Sequence, residues 1–116
     1  MFRIVCEPIP EKRVYRLTRS VFIEGILIEA PYDWNGASVP AFLWPIIGSP
    51  FDPQFMVPSL VHDKVYDTGE ISRKESDRLF RKLLLHNGVD KERAEIMYIG
   101  VRYFSWPFYN RGVYHV

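Results

Sequence analysis

The sequence predicts a single α+β domain, with a small N-terminal antiparallel sheet, a long proline-rich packed loop and then three helices. Three observations favour this fold class. Apolar residues alternate with polar ones in segment 1–29, prolines and aromatics crowd segment 30–58, and apolar residues recur at helical spacing in segment 59–106. An aromatic tail, 107–116, follows, and 116 residues are enough for one domain with its own core.

The first segment is predicted to form short strands. Apolar and more polar residues alternate in residues 2–6, which is the period of a half-buried strand. β-branched and aromatic residues return at Val14–Leu17 and in residues 21–29. We expect Gly25 to form a bulge in the last of these strands.

The second segment contains too many prolines for a long regular helix, because an interior proline removes a hydrogen bond and clashes with the preceding turn. Between Trp34 and Pro58 the only charged residue is Asp52, so the segment is too apolar for a solvated linker. We therefore expect a loop packed against the rest of the domain, and long loops of this kind are commonly functional.

The third segment carries start and stop signals for three helices. Pro58 suits the first turn of a helix that ends near Gly69. Ser72 and Glu75 form a capping box for the second helix, and Asp90 is placed to cap the third. The short connection between the first two helices predicts an antiparallel hairpin.

Composition and charge exclude several classes of protein. The chain has 15 Lys plus Arg against 14 Asp plus Glu, a balance that argues against binding nucleic acid by gross electrostatics. A lone cysteine, Cys6, excludes an internal disulfide framework and fits a reducing compartment. No apolar run reaches the roughly 18 residues of a membrane span, and no signal peptide is evident. These features predict a cytoplasmic protein.

The chemically informative residues are His62, Asp63, Tyr66 and Asp77. His62 and Tyr66 are four residues apart, so they share one helix face, and Asp63 projects from a neighbouring face. In an antiparallel hairpin, Asp77 could reach back toward His62 or Tyr66. A histidine held by a carboxylate is the usual arrangement of a general base, and a neighbouring aspartate could bind a hard cation.

This hairpin resembles the active site of secreted phospholipases A2, which carry His-Asp-x-x-Tyr on one helix and an aspartate followed by an aromatic residue on the next. The resemblance implies that His62 deprotonates water, that Asp77 and Tyr66 orient its ring, and that Asp63 holds Ca²⁺. The calcium would polarise an ester carbonyl.

The chain departs from the phospholipase pattern in two ways. Positions where the phospholipases place disulfide-forming cysteines hold Pro58, Ser59 and Val65. This chain also lacks the glycine-rich calcium loop of the phospholipases, and the nearest substitute is segment 33–37. Asn35 and Gly36 are therefore the candidate metal-binding residues beside Asp63.

A second resemblance covers nearly the whole chain. Three motifs occur in order: Asn-Gly-Ala-Ser-Val-Pro at 35–40, His-Asp-x-x-Tyr at 62–66, and Ser-Arg-Lys-Glu-Ser-Asp-Arg-Leu-Phe at 72–80. This order resembles the domain of unknown function 1353 family of uncharacterised phage and prophage proteins. That family commonly has Asp where this chain has Asn35, and Ala in place of Ser76. The resemblance implies a phage protein in the host cytoplasm or associated with the virion.

Less specific interpretations of the same residues stay open. The His62, Asp63 and Asp77 cluster could be a polar network that locks two helices together without catalysing anything. Ser38 lacks the Gly-x-Ser-x-Gly elbow of serine hydrolases, so we expect it to bond local backbone. Basic residues on the second helix alternate with acidic ones, so nucleic acid is not an expected partner.

The C-terminal tail is a candidate interaction surface. Tyrosine, tryptophan and arginine are enriched at protein interfaces and also at membrane interfaces. We favour a protein partner from phage or host over a lipid or membrane surface, because the tail lacks a basic face. The candidate interaction residues are Trp106, Phe108, Tyr109, Arg111 and Tyr114.

Two functions of different classes therefore follow from the sequence. The first is a phospholipase A2-like, calcium-dependent ester hydrolase or a degenerate relative of one, which requires His62 to face an open cleft. The second is a non-enzymatic phage assembly or host-interacting protein that docks through its C-terminal aromatics, which requires those side chains to be exposed.

Overall fold

The computed structural model describes residues 2–47 and 52–109, and within them the chain forms five strands, three α-helices and three short 3₁₀ helices. The strands are β1 (Cys6–Ile9), β2 (Val14–Leu17), β3 (Val21–Ile23), β4 (Ile26–Ile28) and β5 (Tyr32–Trp34). The helices are α1 (Pro53–Thr68), α2 (Arg73–His86) and α3 (Lys91–Phe104). The 3₁₀ helices span Pro10–Lys12, Ala41–Ile46 and Trp106–Phe108. This order confirms the α+β class.

The strands form two small antiparallel sheets rather than one. The first has the order β1-β2-β5, and the second is the β3-β4 hairpin. Strand β5 lies inside the segment predicted as a loop, where it pairs Tyr32 with Leu17 and Trp34 with Tyr15. Its three residues are too few to show the alternation that identifies a strand, so only pairing with β2 defines it.

The expected bulge at Gly25 is wrong. Glu24 and Gly25 both have positive φ, 50° and 82°, and they form the two-residue turn between Ile23 and Ile26. Turns of this handedness match the twist of the strands that they join, and glycine adopts the conformation without steric cost.

Helix α1 begins at Pro53, earlier than predicted, and includes Pro58 in its interior. A proline at this position cannot donate the helical hydrogen bond to the carbonyl oxygen of Gln54. The side-chain Nδ2 of Asn87 lies 3.4 Å from that oxygen and donates to it instead. The helix therefore continues through the proline because a residue from beyond α2 satisfies the exposed acceptor.

The starts of α2 and α3 agree with their sequence signals in different ways. The Ser72 Oγ accepts from the Glu75 backbone N at 3.1 Å, which confirms Ser72 as the N-cap, and the Glu75 carboxylate accepts from the same hydroxyl at 3.2 Å. Asp90 occupies the N-cap position of α3, but its carboxylate pairs with Arg93 instead of capping a backbone N–H. Helices α1 and α2 pack against each other, as the predicted hairpin requires. No helix in the described part of the chain is long and apolar enough to cross a membrane.

The core consists of two apolar clusters that meet at His62. The first includes Leu17, Trp34 and Tyr66 and lies between the sheets and α1; the second packs the segment 39–47 against all three helices. The His62 ring lies 4.1 Å from the Tyr66 ring and 4.8 Å from the Phe80 ring, measured between centroids. A polar side chain thus stands where the two clusters join.

Candidate functional site

The hairpin of α1 and α2 brings His62, Tyr66 and Asp77 together. Asp77 lies early in α2 and is completely buried beside the two α1 side chains. The His62 Nε2 is 2.8 Å from the Asp77 Oδ1, and the Tyr66 hydroxyl donates to the same oxygen at 2.7 Å. Asp77 thus reaches both α1 side chains across the hairpin, and its Oδ1 contacts the imidazole ring from one side.

The Asp77 carboxylate is also neutralised by arginine. The Arg102 Nη1 donates to the Asp77 Oδ2 at 2.9 Å, and the Arg73 Nη1 is 3.6 Å from that oxygen. Burial alone would raise the pKa of Asp77, but hydrogen bonds from His62, Tyr66 and Arg102 outweigh it and hold the pKa below its usual range. Asp77 is therefore an ionised partner for His62 at neutral pH.

The second nitrogen of His62 contacts Ser38. The His62 Nδ1 is 2.7 Å from the Ser38 Oγ. A tight turn places this serine. Gly36 has a φ of +76°, and its carbonyl oxygen accepts from the Val39 N. The Asn35 Oδ1 accepts from the Ala37 N within the same turn. The expectation that Ser38 bonds local backbone is wrong, because its hydroxyl bonds side chains of α1.

Asp63 joins the same loop to α1 from the other side of Ser38. Its carboxylate accepts from the Gly36 N at 2.9 Å, from the Ser38 N at 3.2 Å and from the Ser38 hydroxyl. Burial raises the pKa of the Asp63 carboxyl, and the hydrogen bonds from Ser38 and Gly36 oppose the rise. The result is a continuous polar chain of Asp63, Ser38, His62 and Asp77.

This donor set does not fit a calcium site. Ca²⁺ binds oxygen ligands, whereas the loop directs the N–H groups of Gly36 and Ser38 at Asp63. The Asn35 side-chain oxygen is used within its own turn. Among the described residues no group of three or more His, Cys, Asp or Glu side chains is arranged to hold a metal ion. The predicted role of Asp63, Asn35 and Gly36 in binding Ca²⁺ stays a prediction that this geometry does not favour.

Ser38 and Asp63, which are 5 % and 7 % exposed, line a pocket beside the site, and His62 does not. His62 is only 1 % exposed and both ring nitrogens are hydrogen-bonded, so the imidazole does not face the open cleft that a water-activating base requires. Ser38 and Asp63 line a pocket of about 200 Å³, whose other walls include Asp33, Asp67 and Phe108. The polar chain therefore runs from a buried carboxylate to a serine at a pocket wall.

The sequence alone does not predict a role for Ser38 in the site, because the Gly-x-Ser-x-Gly elbow of serine hydrolases is absent. The available signal was its place in Asn-Gly-Ala-Ser-Val-Pro, the motif that precedes the His-Asp-x-x-Tyr motif in the chain. Two motifs that converge on one site are informative together, but the contact between Ser38 and His62 depends on how the loop folds over α1.

The predicted interaction residues of the tail divide into three groups. Trp106 is 65 % exposed, and Phe108 and Tyr109 are half-buried against the first apolar cluster. The Tyr109 hydroxyl donates to the Ile71 carbonyl at 2.7 Å, which holds the start of the tail to the helix hairpin. Arg111 and Tyr114 lie outside the described residues.

Three further aromatic side chains near Trp106 are exposed. The Phe42 and Phe104 rings contact each other edge to face with centroids 5.2 Å apart, and both are more than half exposed. Tyr103 is the most exposed of the group, at 71 %. With Trp106 they make four exposed aromatic side chains at or near the end of α3, of which only Trp106 is among the predicted interaction residues.

Comparison with known proteins identifies relatives of unestablished function. The family model described as "Protein of unknown function (DUF1353)" matches residues 11–101. Two similar proteins are from Sinorhizobium fredii: the uncharacterized protein y4iH is 31 % identical over 71 residues, and the uncharacterized protein y4jT is 34 % identical over 67 residues. These alignments cover 61 % and 58 % of this chain but only 30 % and 20 % of the relatives, which are therefore much longer than the matched region. No solved structure matches the chain.

Proposed function

The chain belongs to the DUF1353 family of proteins of unknown function, and we propose that it is an ester hydrolase in which Ser38 is the nucleophile, His62 the general base and Asp77 the positioning carboxylate. The observation that carries the proposal is the pair of contacts on His62: 2.7 Å from Nδ1 to the Ser38 Oγ, and 2.8 Å from Nε2 to the Asp77 Oδ1. A nucleophile, a base and an orienting acid within hydrogen-bond reach recur in serine hydrolases of unrelated folds.

The proposed reaction begins when the Ser38 Oγ attacks the carbonyl carbon of an ester and its proton passes to the His62 Nδ1. His62 then gives this proton to the departing alkoxide, which leaves as an alcohol. The acyl group stays bound to the Ser38 Oγ. Water, deprotonated by His62, releases the acid and regenerates the serine. Asp77 stabilises the imidazolium at each stage, and Tyr66 and Arg102 hold Asp77 in place.

Asp63 has a separate part in this proposal. Its carboxylate contacts the Ser38 hydroxyl and lines the same pocket, and burial raises its pKa. When Asp63 carries a proton it can donate to the Ser38 Oγ, which leaves the serine proton directed at His62. The same proton can stabilise the oxyanion that forms beside Ser38, as a neutral carboxylic acid does in other enzymes.

The proposal keeps the ester hydrolase activity implied by the phospholipase resemblance and changes how it is carried out. The Ser38 hydroxyl lies next to the nitrogen with which His62 would otherwise activate water. Calcium has no step here, because the loop directs N–H groups at Asp63.

The proposal is tested with a fluorophosphonate probe that labels activated serines, followed by intact mass and peptide mapping. We expect one label on Ser38, and hydrolysis of p-nitrophenyl esters that Ser38→Ala lowers roughly 1000-fold or more. The matched control is Ser105→Ala, which removes a buried serine hydroxyl that has no hydrogen-bond partner among the described residues. A folded wild-type protein that takes no label and hydrolyses no ester would refute the proposal.

The second candidate is a non-enzymatic assembly or host-interacting protein that docks through its aromatics. The exposure of Trp106, together with that of Phe104 and Tyr103, favours it, because large apolar patches on a surface commonly mark protein interfaces. In this proposal the polar chain around His62 only rigidifies the hairpin. The phage setting implied by the resemblance belongs to this second candidate and stays a prediction.

A further inference from the structure

A groove separate from the Ser38 pocket lies where the first turn of α2 meets the last turns of α3. Its volume is about 470 Å³. The lining residues are Arg73, Tyr98, Ile99, Arg102 and Tyr103. Two arginines and two tyrosines thus line one opening, and no acidic side chain is among the lining residues.

The two arginines bring more positive charge to the groove than their protein contacts neutralise. Both approach one carboxylate, Asp77, with Nη1 of Arg102 at 2.9 Å and Nη1 of Arg73 at 3.6 Å. The Arg73 Nη1 also donates to the carbonyl oxygens of Val101 and Arg102 at the end of α3. Each guanidinium carries five N–H donors. The hydrogen bonds that Val101, Arg102 and Asp77 accept from the two arginines come from Nη1 of each, and the Arg73 guanidinium also interacts with the Tyr66 hydroxyl. Donors that these contacts with the described residues leave unused can bind a ligand.

We propose that this groove binds a small aromatic phosphate ester. A phosphate dianion presents three acceptor oxygens, which suits donors from two guanidinium groups that already share one carboxylate. Tyr103 is 71 % exposed and Ile99 is half-exposed beside it, so a flat apolar group can pack there while the phosphate contacts Arg73 and Arg102. Arg81 already lies over one face of the Tyr98 ring, 4.3 Å from its centroid, so Tyr103 is the more accessible of the two rings.

The experiment is calorimetric titration of the full chain with phenyl phosphate, inorganic phosphate and phenol. We expect phenyl phosphate to bind more tightly than inorganic phosphate, and phenol to show no binding at the same concentrations. Arg73→Gln should weaken phenyl phosphate roughly tenfold, because it removes a charged hydrogen-bond donor. Tyr103→Ser should bring the affinity for phenyl phosphate down to that for inorganic phosphate.

The matched control is Arg78→Gln, which removes an exposed arginine of α2 that does not line the groove. Equal weakening by Arg78→Gln and Arg73→Gln would overturn the proposal, because the anion would then respond only to overall surface charge. Tighter binding of benzoate than of phenyl phosphate would overturn the assignment of a phosphate. Tighter binding of a single-stranded oligonucleotide would overturn the assignment of a small ligand. Tyr103→Ser lies outside the Asp77 contacts, so it tests the groove even where Arg73→Gln fails to fold.

Discussion

Three side chains donate hydrogen bonds to the buried carboxylate of Asp77. It accepts hydrogen bonds from His62 and Tyr66 on one oxygen and from Arg102 on the other. A buried carboxylate is costly unless it is paired and hydrogen-bonded, so these donors offset the loss of its hydration. The same contacts hold the His62 ring in the orientation that the proposed reaction needs, so stability and positioning depend on one side chain.

Replacing Tyr66 with phenylalanine removes one of these donors and leaves the ring in place. Because the acceptor is an ionised carboxylate, we expect Tyr66→Phe to lower the free energy of unfolding by about 1.5–3 kcal/mol. Urea denaturation measures the change. Tyr103→Phe, which removes the hydroxyl of an exposed tyrosine, is the control and should change stability by no more than about 0.5 kcal/mol. Equal effects of the two variants would show that the Tyr66 hydroxyl contributes nothing to holding Asp77.

At the scale of elements, the segment that follows the Ser38 turn is held by close packing against α3. Gly100 is buried on α3, and a Cβ atom built there would lie 2.5 Å from the Leu43 Cδ1 and 2.8 Å from its Cδ2. Leu43 belongs to the 3₁₀ helix Ala41–Ile46, which begins three residues after Ser38. The absence of a side chain at position 100 therefore lets this 3₁₀ helix lie against α3.

This close approach predicts that the effect of Gly100→Ala on the free energy of unfolding changes sign when Leu43 is replaced by alanine. Gly100→Ala alone should destabilise the protein by about 1–3 kcal/mol, because the added methyl group overpacks against Leu43. In a Leu43→Ala background the clash is gone, and Gly100→Ala should stabilise by about 1 kcal/mol through its higher helix propensity. Urea denaturation of the four proteins of this double-mutant cycle measures both values. A Gly100→Ala change that stabilises both backgrounds would contradict the close packing.

At the scale of the whole molecule, several large apolar side chains stay exposed outside the buried core, and four of them are aromatic residues at or near the end of α3. Two buried clusters account for the core, with His62 between Tyr66 of the first and Phe80 of the second. Phe42, Tyr103, Phe104 and Trp106 stay on the surface although they are large and apolar. Exposed apolar side chains are common at binding faces, and this is the observation on which the second candidate function rests.

The docking candidate predicts association that depends on these exposed aromatic side chains. We expect sedimentation velocity to show the wild-type chain forming larger species as its concentration rises, because the exposed aromatics favour burial against a second protein surface. The double variant Phe104→Ser with Trp106→Ser should stay monomeric. Phe22→Ser removes an exposed phenylalanine of β3 and is the matched control. Association that Phe22→Ser reduces as strongly would show that these side chains have no particular role.

Much of the fold could be predicted because its signals are local. Three of these signals depend on residues within four positions of one another. They are the cap formed by Ser72 and Glu75, the turn at Gly69, and the shared helix face of His62 and Tyr66. The early start of α1 could not be predicted, since Pro58 is accommodated only because Asn87 donates to the Gln54 carbonyl. Strand β5 was missed for a similar reason, because its partner β2 lies far from it in the chain.

The sequence by itself determined the α+β order, the helix hairpin and the reach of Asp77 toward His62, because helical periodicity and a short connection fix which side chains meet. Only the tertiary structure decided what faces the other nitrogen of His62. That neighbour is Ser38, 24 residues away, carried by a loop whose path depends on packing against α1 and α3 and on the hydrogen bonds to Asp63. Local periodicity contains no information about such a contact, and this contact turns a helix pair with a buried histidine into a candidate serine hydrolase site.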